Sequence, residues 1–255
     1  MDVSIVTNKL RELKIAIILP TYNNYKTIVE VLESLLEYTN DIIVVNDGAT
    51  DSTPQLLENY KDKVHVISYL PNRGKGFALQ TGFKKALELG FTYAITIDSD
   101  GQHFASDLGL FVEEIEAHPH SLIVGSRLLK QENMPGGNTF ANKFSNFWFQ
   151  VQTGINLPDT QSGYRLYPIQ KMGKMPMLTK RYEAELEMLV FSAWRGIDMR
   201  AIKIKVYYAP VGERVSHFRP IKDFTRIGFL NAFLVFLAVV YGYPSMGLRK
   251  LFHKK

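Results

Sequence analysis

At 255 residues the chain is long enough for one large α/β domain, alone or with an appendage, and for a substantial core. It contains no cysteine, which excludes a disulfide framework and any thiolate metal site and agrees with a reducing compartment. The net charge of +5 is unevenly spread, because Arg200 to Lys255 carries eleven Lys or Arg against Glu213 and Asp223, hence +9, and leaves the remainder at −4. That basic end flanks an apolar run, which points to an anionic membrane surface or phosphate groups; no zinc finger or aromatic RNA-binding strand argues for nucleic acid.

Met1 to Lys14 mixes charged and apolar residues without a signal peptide's apolar core, so the bulk of the chain is expected to be cytosolic. Lys14 to Leu19 reads as a first strand, expected to stop at Pro20 because proline cannot donate to a central ladder. A helix over Tyr25 to Tyr38 follows, with Ile28, Val31, Leu32, Leu35 and Leu36 at helical spacing. Asp41 to Asn46 is a second strand ending in Asp47-Gly-Ala-Thr-Asp51, and Ser52 to Pro54 starts a helix. Val64 to Leu70 is a third strand, closed by Pro71 to Gly76. The next helix runs through Leu89, with Phe77, Leu79, Phe83, Ala86 and Leu87 expected on its inner face. The strand from Tyr93 runs straight into Asp98-Ser-Asp100-Gly-Gln102-His103. A helix over Ser106 to Ala117 and a strand over Ser121 to Arg127 complete the first half. Strands alternating with helices predict a doubly wound, mostly parallel sheet with helices on both faces. Every strand delivers polar residues or glycine at its C-terminal end, the edge where such sheets bind ligands.

The second half breaks the alternation. Leu128 to Gly137 reads as a mobile loop, and Asn138 to Thr153 as a helix with Phe140, Phe144, Phe147, Trp148 and Val151 on one face. That face has two readings, ordinary core or a border to lipid. Pro158 to Arg165 is turn-rich, Tyr182 to Arg195 is a helix opening with Glu183, Glu185 and Glu187, and Met199 to Tyr208 alternates as a strand. Ile227 to Tyr241 is apolar on all sides except Asn231. Its fifteen residues fall short of the ~20 that cross a bilayer, and Pro244 is expected to interrupt any extension. A helix in or on the membrane, a short tilted span and a core or oligomer helix all stay open. The domain boundary is expected between a catalytic unit, 1–222, and a membrane-associating helix with basic tail, 223–255.

Asp98 and Asp100 are the chemical centre. Two close carboxylates repel unless a cation lies between them, and oxygen ligands suit Mg²⁺ or Mn²⁺. An ordinary turn is the plain alternative; an EF-hand fails because its sixth position is His103 rather than Gly and its twelfth Gly109 rather than Glu. Tyr22, Asp47, Lys75, Asp98, Asp100, Gln102 and Arg127 at the strand ends form a set suited to a nucleoside diphosphate. Taken singly, Asp47 is a turn residue and Lys75-Gly76 a helix-start loop. The glycines around Lys75 match neither the dinucleotide fingerprint nor the P-loop.

Pro20-Thr-Tyr-Asn, Val45-Asn-Asp47-Gly-Ala-Thr-Asp51, Asn72-Arg-Gly74-Lys75-Gly76, Asp98-Ser-Asp100-Gly-Gln102-His103, Gly125-Ser-Arg127 and Asp159-Thr-Gln-Ser162-Gly-Tyr-Arg165 stand here in order. Together they resemble the family 2 glycosyltransferases, in particular the dolichyl- or polyprenyl-phosphate mannosyl- or glucosyltransferase branch. The resemblance implies a GT-A fold, a nucleotide-sugar donor, Mg²⁺ or Mn²⁺, and inversion at the anomeric carbon. It assigns donor binding to Pro20, Tyr22, Asn24, Asp47, Lys75, Gly76, Asp98 and Arg127, and the metal with its diphosphate to Asp98, Asp100 and Gln102. It gives Arg165 to a phosphate, Asp159 to a general base, and Glu183 to the sugar or acceptor. His103 is expected to be structural. Two departures stand out: Asn24 replaces the family's usual Glu, and Gly212 to Arg219 replaces its usual Gly-x-Ser-Lys loop. Arg214, His217 and Arg219 are expected to cover the pyrophosphate or grip a lipid phosphate, against the plain reading of a solvated basic loop.

The expected activity is transfer of a hexose from a UDP- or GDP-linked sugar to a polyprenyl phosphate or related lipid, at the cytoplasmic face of a membrane. A glycolipid or saccharide hydroxyl acceptor is the first alternative, and a non-catalytic nucleotide-sugar or lipid-binding scaffold the second.

Overall fold

Continuous apolar runs make the sheet in this computed structural model, which describes residues 1–127, 136–174, 177–208 and 220–252. The strands are β1 (Ile15–Thr21), β2 (Ile42–Asp47), β3 (His65–Tyr69), β4 (Tyr93–Thr96), β5 (Leu122–Arg127), β6 (Arg165–Tyr167) and β7 (Met199–Ile204). They lie in the order β3-β2-β1-β4-β6-β5-β7. β6 alone among them runs antiparallel, inserted between β4 and β5. Every residue of β1 and β2 is buried, as befits strands covered on both faces. Ile15, Ile17 and Leu19 point into one core, Ala16 and Ile18 into the other. The helices covering them include α1 (Val3–Glu12), α2 (Ile28–Leu36), α3 (Thr53–Glu58), α4 (Lys75–Glu88) and α5 (Leu108–Ala117). The second half adds α6 (Gly136–Thr153), α7 (Ile169–Met172), α8 (Glu183–Trp194), α9 (Pro220–Leu237) and α10 (Tyr243–Phe252). The expected doubly wound, mostly parallel sheet is present.

Several local expectations are corrected. Pro20 does not end its strand; β1 continues to Thr21 with Pro20 opposite Val45. The Ile17 N–H donates toward β2, to Asp41, so three residues on the Pro20 nitrogen faces the β4 side, where β4 has already ended at Thr96. No ladder bond is lost. On α4, Leu87 is exposed and the sheet-facing row is Ala78, Leu79, Gly82 and Ala86. The helix lies so close that a Cβ on Gly82 would come within 2.5 Å of Ile18 Cγ2. The segment before β1, given no element from sequence, forms α1, capped by the Asp2 side chain and buried through Val6 and Leu10.

On α6 the buried row is Asn142, Ser145, Phe149 and Gln152, while Phe147 is exposed and Phe144, Trp148 and Val151 are half-buried. The core reading of the aromatic face is therefore wrong: α6 turns polar groups inward because it packs on polar partners. Asn142 donates to Asp159 at 2.6 Å, Ser145 and Thr160 share a 2.7 Å bond, and Gln152 Nε2 donates to Asn231 at 2.8 Å. The Phe140 side chain lies outside the described residues, as do 128–135 of the expected loop and Arg214, His217 and Arg219.

Nor does Pro244 interrupt the apolar run. α9 passes through a π-helical turn, Ala238–Gly242, into α10, with Pro244 in the first turn of α10 where its missing N–H is tolerated. Thr225–Arg249 is one 25-residue helical run, long and apolar enough to cross a membrane by length and composition. Leu230, Asn231, Leu234 and Ala238 are buried against the body of the protein, whereas Phe229, Phe233, Phe236, Val239, Val240 and Tyr241 are exposed.

Candidate active site

The C-terminal ends of β1, β2 and β4 and the loop entering α4 surround a cavity of about 890 Å³. Pro20, Tyr22, Asn24, Asp47, Lys75, Asp98 and Asp100 line it together. Asp47 ends β2 and is buried; its carboxylate accepts from the Arg73 N–H at 2.7 Å, the Gly74 N–H at 2.8 Å and Asn72 Nδ2 at 2.9 Å. It thereby ties down the loop that delivers Lys75. Gly74 has φ +99° and its α-carbon faces the Lys180 carbonyl, leaving a side chain neither conformation nor room. Gly76, in the first turn of α4, packs against Ala184 of α8. Asn24 is buried, donating from Nδ2 to Ser99 Oγ at 2.6 Å, and its Oδ1 has no partner among the described residues.

Lys75 Nζ lies 2.7 Å from Asp98 Oδ1 and 2.8 Å from Glu185 Oε2. Burial works against its charge, but Asp98 and then Glu185 outweigh burial and hold the ammonium protonated. Burial likewise opposes the Asp98 carboxylate, yet the Lys75 ammonium keeps its pKa below the usual value. Asp100 goes the other way, pushed up to about 6 by burial and by repulsion from Asp98, with the Gln102 N–H donating to Oδ1 at 3.0 Å. Burial depresses His103 to about 4, so the ring is neutral; it tilts against Tyr164 with centroids 5.2 Å apart, in keeping with a structural role.

The remaining expected residues are not on the cavity wall. Arg127 pairs with Asp159 through Nε at 2.6 Å and Nη2 at 3.0 Å. Asp159 is fully buried and also accepts from Asn142 and from the N–H groups of Arg127, Gln161 and Ser162. Despite burial, Arg127 holds its pKa below the ordinary carboxylate value, opposite to what a base working near neutrality needs. In this arrangement Asp159 anchors Arg127. Arg165 is equally enclosed, donating to the Ser162, Glu185 and Thr160 carbonyls at 2.7, 2.8 and 2.9 Å. Its guanidinium is taken up by protein carbonyls. Glu183 looks away from the donor cavity into a groove of about 390 Å³ shared with Arg226, Phe229 and Phe233. Gln102 contributes its backbone, taking a bond from the Tyr207 N–H at 2.9 Å while it holds Asp100.

Sequence reasoning passed over Glu185, Asn72, Arg181 and Tyr182, all at the cavity or its lysine. For Glu185 a signal existed. Glu183 and Glu187 share a helix face at i,i+4, so Glu185 must project elsewhere. Among the described residues no group of three His, Asp or Glu side chains forms a metal cage. Mg²⁺ and Mn²⁺ do not need one, being commonly held by one or two carboxylates together with substrate phosphates. The Asp98 and Asp100 pair, whose mutual repulsion a cation relieves, fits such an ion.

A cavity at the strand ends of a Rossmann-like mixed sheet, walled by a carboxylate pair and a lysine, defines a nucleotide-dependent enzyme of the α/β class. Residues 16–172 match the profile of Glycosyl transferase family 2, and the chain belongs to that family. It is a glycosyltransferase of GT-A fold. The UDP-N-acetylglucosamine–dolichyl-phosphate N-acetylglucosaminyltransferase of Methanococcus voltae is 31% identical over 215 residues, 76% of this chain and 86% of that one. The undecaprenyl-phosphate mannosyltransferase of Micrococcus luteus is 25% identical, covering 79% of this chain and 86% of its own. Among solved structures, glucosyl-3-phosphoglycerate synthase from Mycobacterium tuberculosis, in complex with Mn²⁺, UDP and phosphoglyceric acid, superposes with a TM-score of 0.68 at 16% identity. The match covers 93% of this chain and 82% of that one.

Proposed function

We propose that this glycosyltransferase moves a hexose, with inversion, from a UDP- or GDP-linked sugar to a polyprenyl phosphate or related lipid at the cytoplasmic face of a membrane. The observation that carries the reading is the Asp98 and Asp100 pair on the cavity wall, with the Asp100 pKa raised by burial and by repulsion from its neighbour. Asp98 and Asp100 would hold Mg²⁺ or Mn²⁺, which when bound offsets the charge gathering on the departing diphosphate. Pro20, Tyr22, Asn24 and Asp47 bound the nucleoside end. Lys75, at the N-terminus of α4, meets the diphosphate with its positive charge at the positive end of the helix dipole.

The candidate bases among the described residues, Asp159 and Glu183, bear on the acceptor, and Glu183 lines the groove beside α9 rather than the cavity. A hydroxyl acceptor needs a base within reach, and the candidate Asp159 is buried, ion-paired and held acidic. A phosphate acceptor arrives as a charged nucleophile and needs none. The relatives from Methanococcus and Micrococcus bear names of enzymes acting on dolichyl and undecaprenyl phosphates, in agreement with that acceptor. Residues 1–222 then form the catalytic unit and 223–255 the membrane-associating one, with Arg214, His217 and Arg219 supplying cations for the pyrophosphate or the lipid phosphate. The test is incubation of the full chain with labelled UDP- and GDP-sugars, Mn²⁺ and vesicles containing polyprenyl phosphate. Label should enter the organic phase only with metal present. Label appearing on a saccharide, or only as free sugar, overturns the lipid-phosphate reading.

A further inference from the structure

Lys75 stands between two carboxylates, and only one belongs to the metal pair. Asp98 reaches it from the end of β4, Glu185 from the first turn of α8. The three side chains are largely enclosed, with relative exposures of 16% for Lys75, 25% for Asp98 and 10% for Glu185. Gly163 makes the room: a Cβ there would overlap the Asp98 carboxylate and lie 2.9 Å from Lys75 Nζ. Glu185 is fixed through its own carbonyl, which accepts from Arg165 Nη1 at 2.8 Å. The trio is thus built, with each member held by a different element.

The Lys75 ammonium lies against both Asp98 carboxylate oxygens, at 2.7 and 3.0 Å, so a divalent cation held by Asp98 would compete with it for that carboxylate. Lys75 must give way when metal arrives. Leaving it buried and unpaired would be costly, and Glu185 is its other carboxylate partner among the described residues. We propose that Glu185 is a positioning residue that retains Lys75 when a divalent cation takes Asp98, releasing that carboxylate and keeping the lysine at the mouth of the phosphate site. This rests on the reading of Asp98 and Asp100 as the metal pair. Lys75 is then a tethered stand-in for the metal, and Glu185 sets how easily it is displaced.

The experiment is Mn²⁺ binding to the full chain without donor, followed by calorimetry and by the loss of the free-ion electron paramagnetic resonance signal. Glu185→Gln should weaken Mn²⁺ binding about tenfold, because Lys75 then has Asp98 alone. Glu185→Asp should recover most of that loss. Lys75→Met should bind Mn²⁺ more tightly than the unaltered protein while binding nucleotide sugar more weakly. With Lys75→Met already present, adding Glu185→Gln should change Mn²⁺ binding by less than about twofold, the coupling expected when one residue acts through the other. An equal effect of Glu185→Gln with or without Lys75 overturns the proposal, as does unchanged binding in Glu185→Gln. Thermal unfolding of each variant identifies misfolding; if Glu185→Gln fails to fold, Glu185→Asp in the two lysine backgrounds carries the same comparison. If Asp98→Asn and Asp100→Asn bind Mn²⁺ as the unaltered protein does, the metal reading itself is at fault and the inference falls with it.

Discussion

A proton and a metal ion compete for Asp100. Its pKa of about 6 means that below that pH the protonated acid dominates and a cation must expel the proton to bind. Apparent Mn²⁺ affinity should therefore fall about tenfold for each pH unit below about 6 and level off above it. Titrations on both sides of that pH read the slope; a flat profile would separate Asp100 from the metal. Asp100→Asn should abolish the slope and lower turnover at least about 100-fold, since the charge on the leaving diphosphate loses its main offset. Arg165 makes the opposite kind of prediction. Its guanidinium feeds three enclosed carbonyls, so Arg165→Met strands them and should cost about 3 kcal/mol of stability in denaturant titrations. The donor KM of the folded fraction should not move. A raised KM at unchanged stability would mean that the guanidinium reaches a phosphate after all.

At the scale of elements, α4 shows what spacing reveals and what it hides. Its existence, start and length were readable from the Gly74-Lys75-Gly76 entry and the apolar periodicity. Its phase was not. The face on the sheet is chosen by small residues that permit close approach, and Leu87 is left outside. Gly82→Val should consequently destabilise by about 1–3 kcal/mol through overpacking against Ile18, measured by thermal or chemical unfolding. The strand ends were legible for a plain reason: a buried parallel strand is an apolar run, and the first polar residue marks where it leaves the sheet. That rule found Asp47 and Asp98 and brought Tyr22, Lys75 and Asp100 to one cavity. It said nothing about partners. The family resemblance gave Arg127, Asp159 and Arg165 phosphate and base chemistry, whereas their bonds among the described residues are to each other, to α6 and to backbone carbonyls. On α6 the most apolar stripe was not the buried one, because the neighbours it meets, Asp159, Thr160 and Asn231, are polar and distant in sequence.

At the scale of the whole molecule, α9 and α10 present an exposed apolar side on a helical run long enough to cross a membrane. At 1.5 Å per residue the 25-residue run measures about 37 Å, more than a hydrocarbon core about 30 Å thick. Its outward aromatics are exposed among the described residues, Phe229 at 76% and Phe236 at 60%. Changing both to Ser should reduce co-flotation with anionic vesicles at least about tenfold, since each buried Phe is worth roughly 1.5–3 kcal/mol. The unfolding temperature should hold or rise. Retained flotation would move the contact elsewhere, with Phe147 and Trp148 of α6 next to be changed.

Gly242 lies flat on the Trp194 indole, where an added methyl group would sit 2.5 Å from the ring, and that indole donates to the Gln152 carbonyl at 2.8 Å. The terminal helix is thus clamped to α8 and α6 with no slack for rolling about its long axis. Because α8 also carries Glu185, a tilt of the terminal helix is passed to the carboxylate beside Lys75. A force on the terminal helix thereby has a mechanical route, through α8, to the carboxylate at the edge of the cavity.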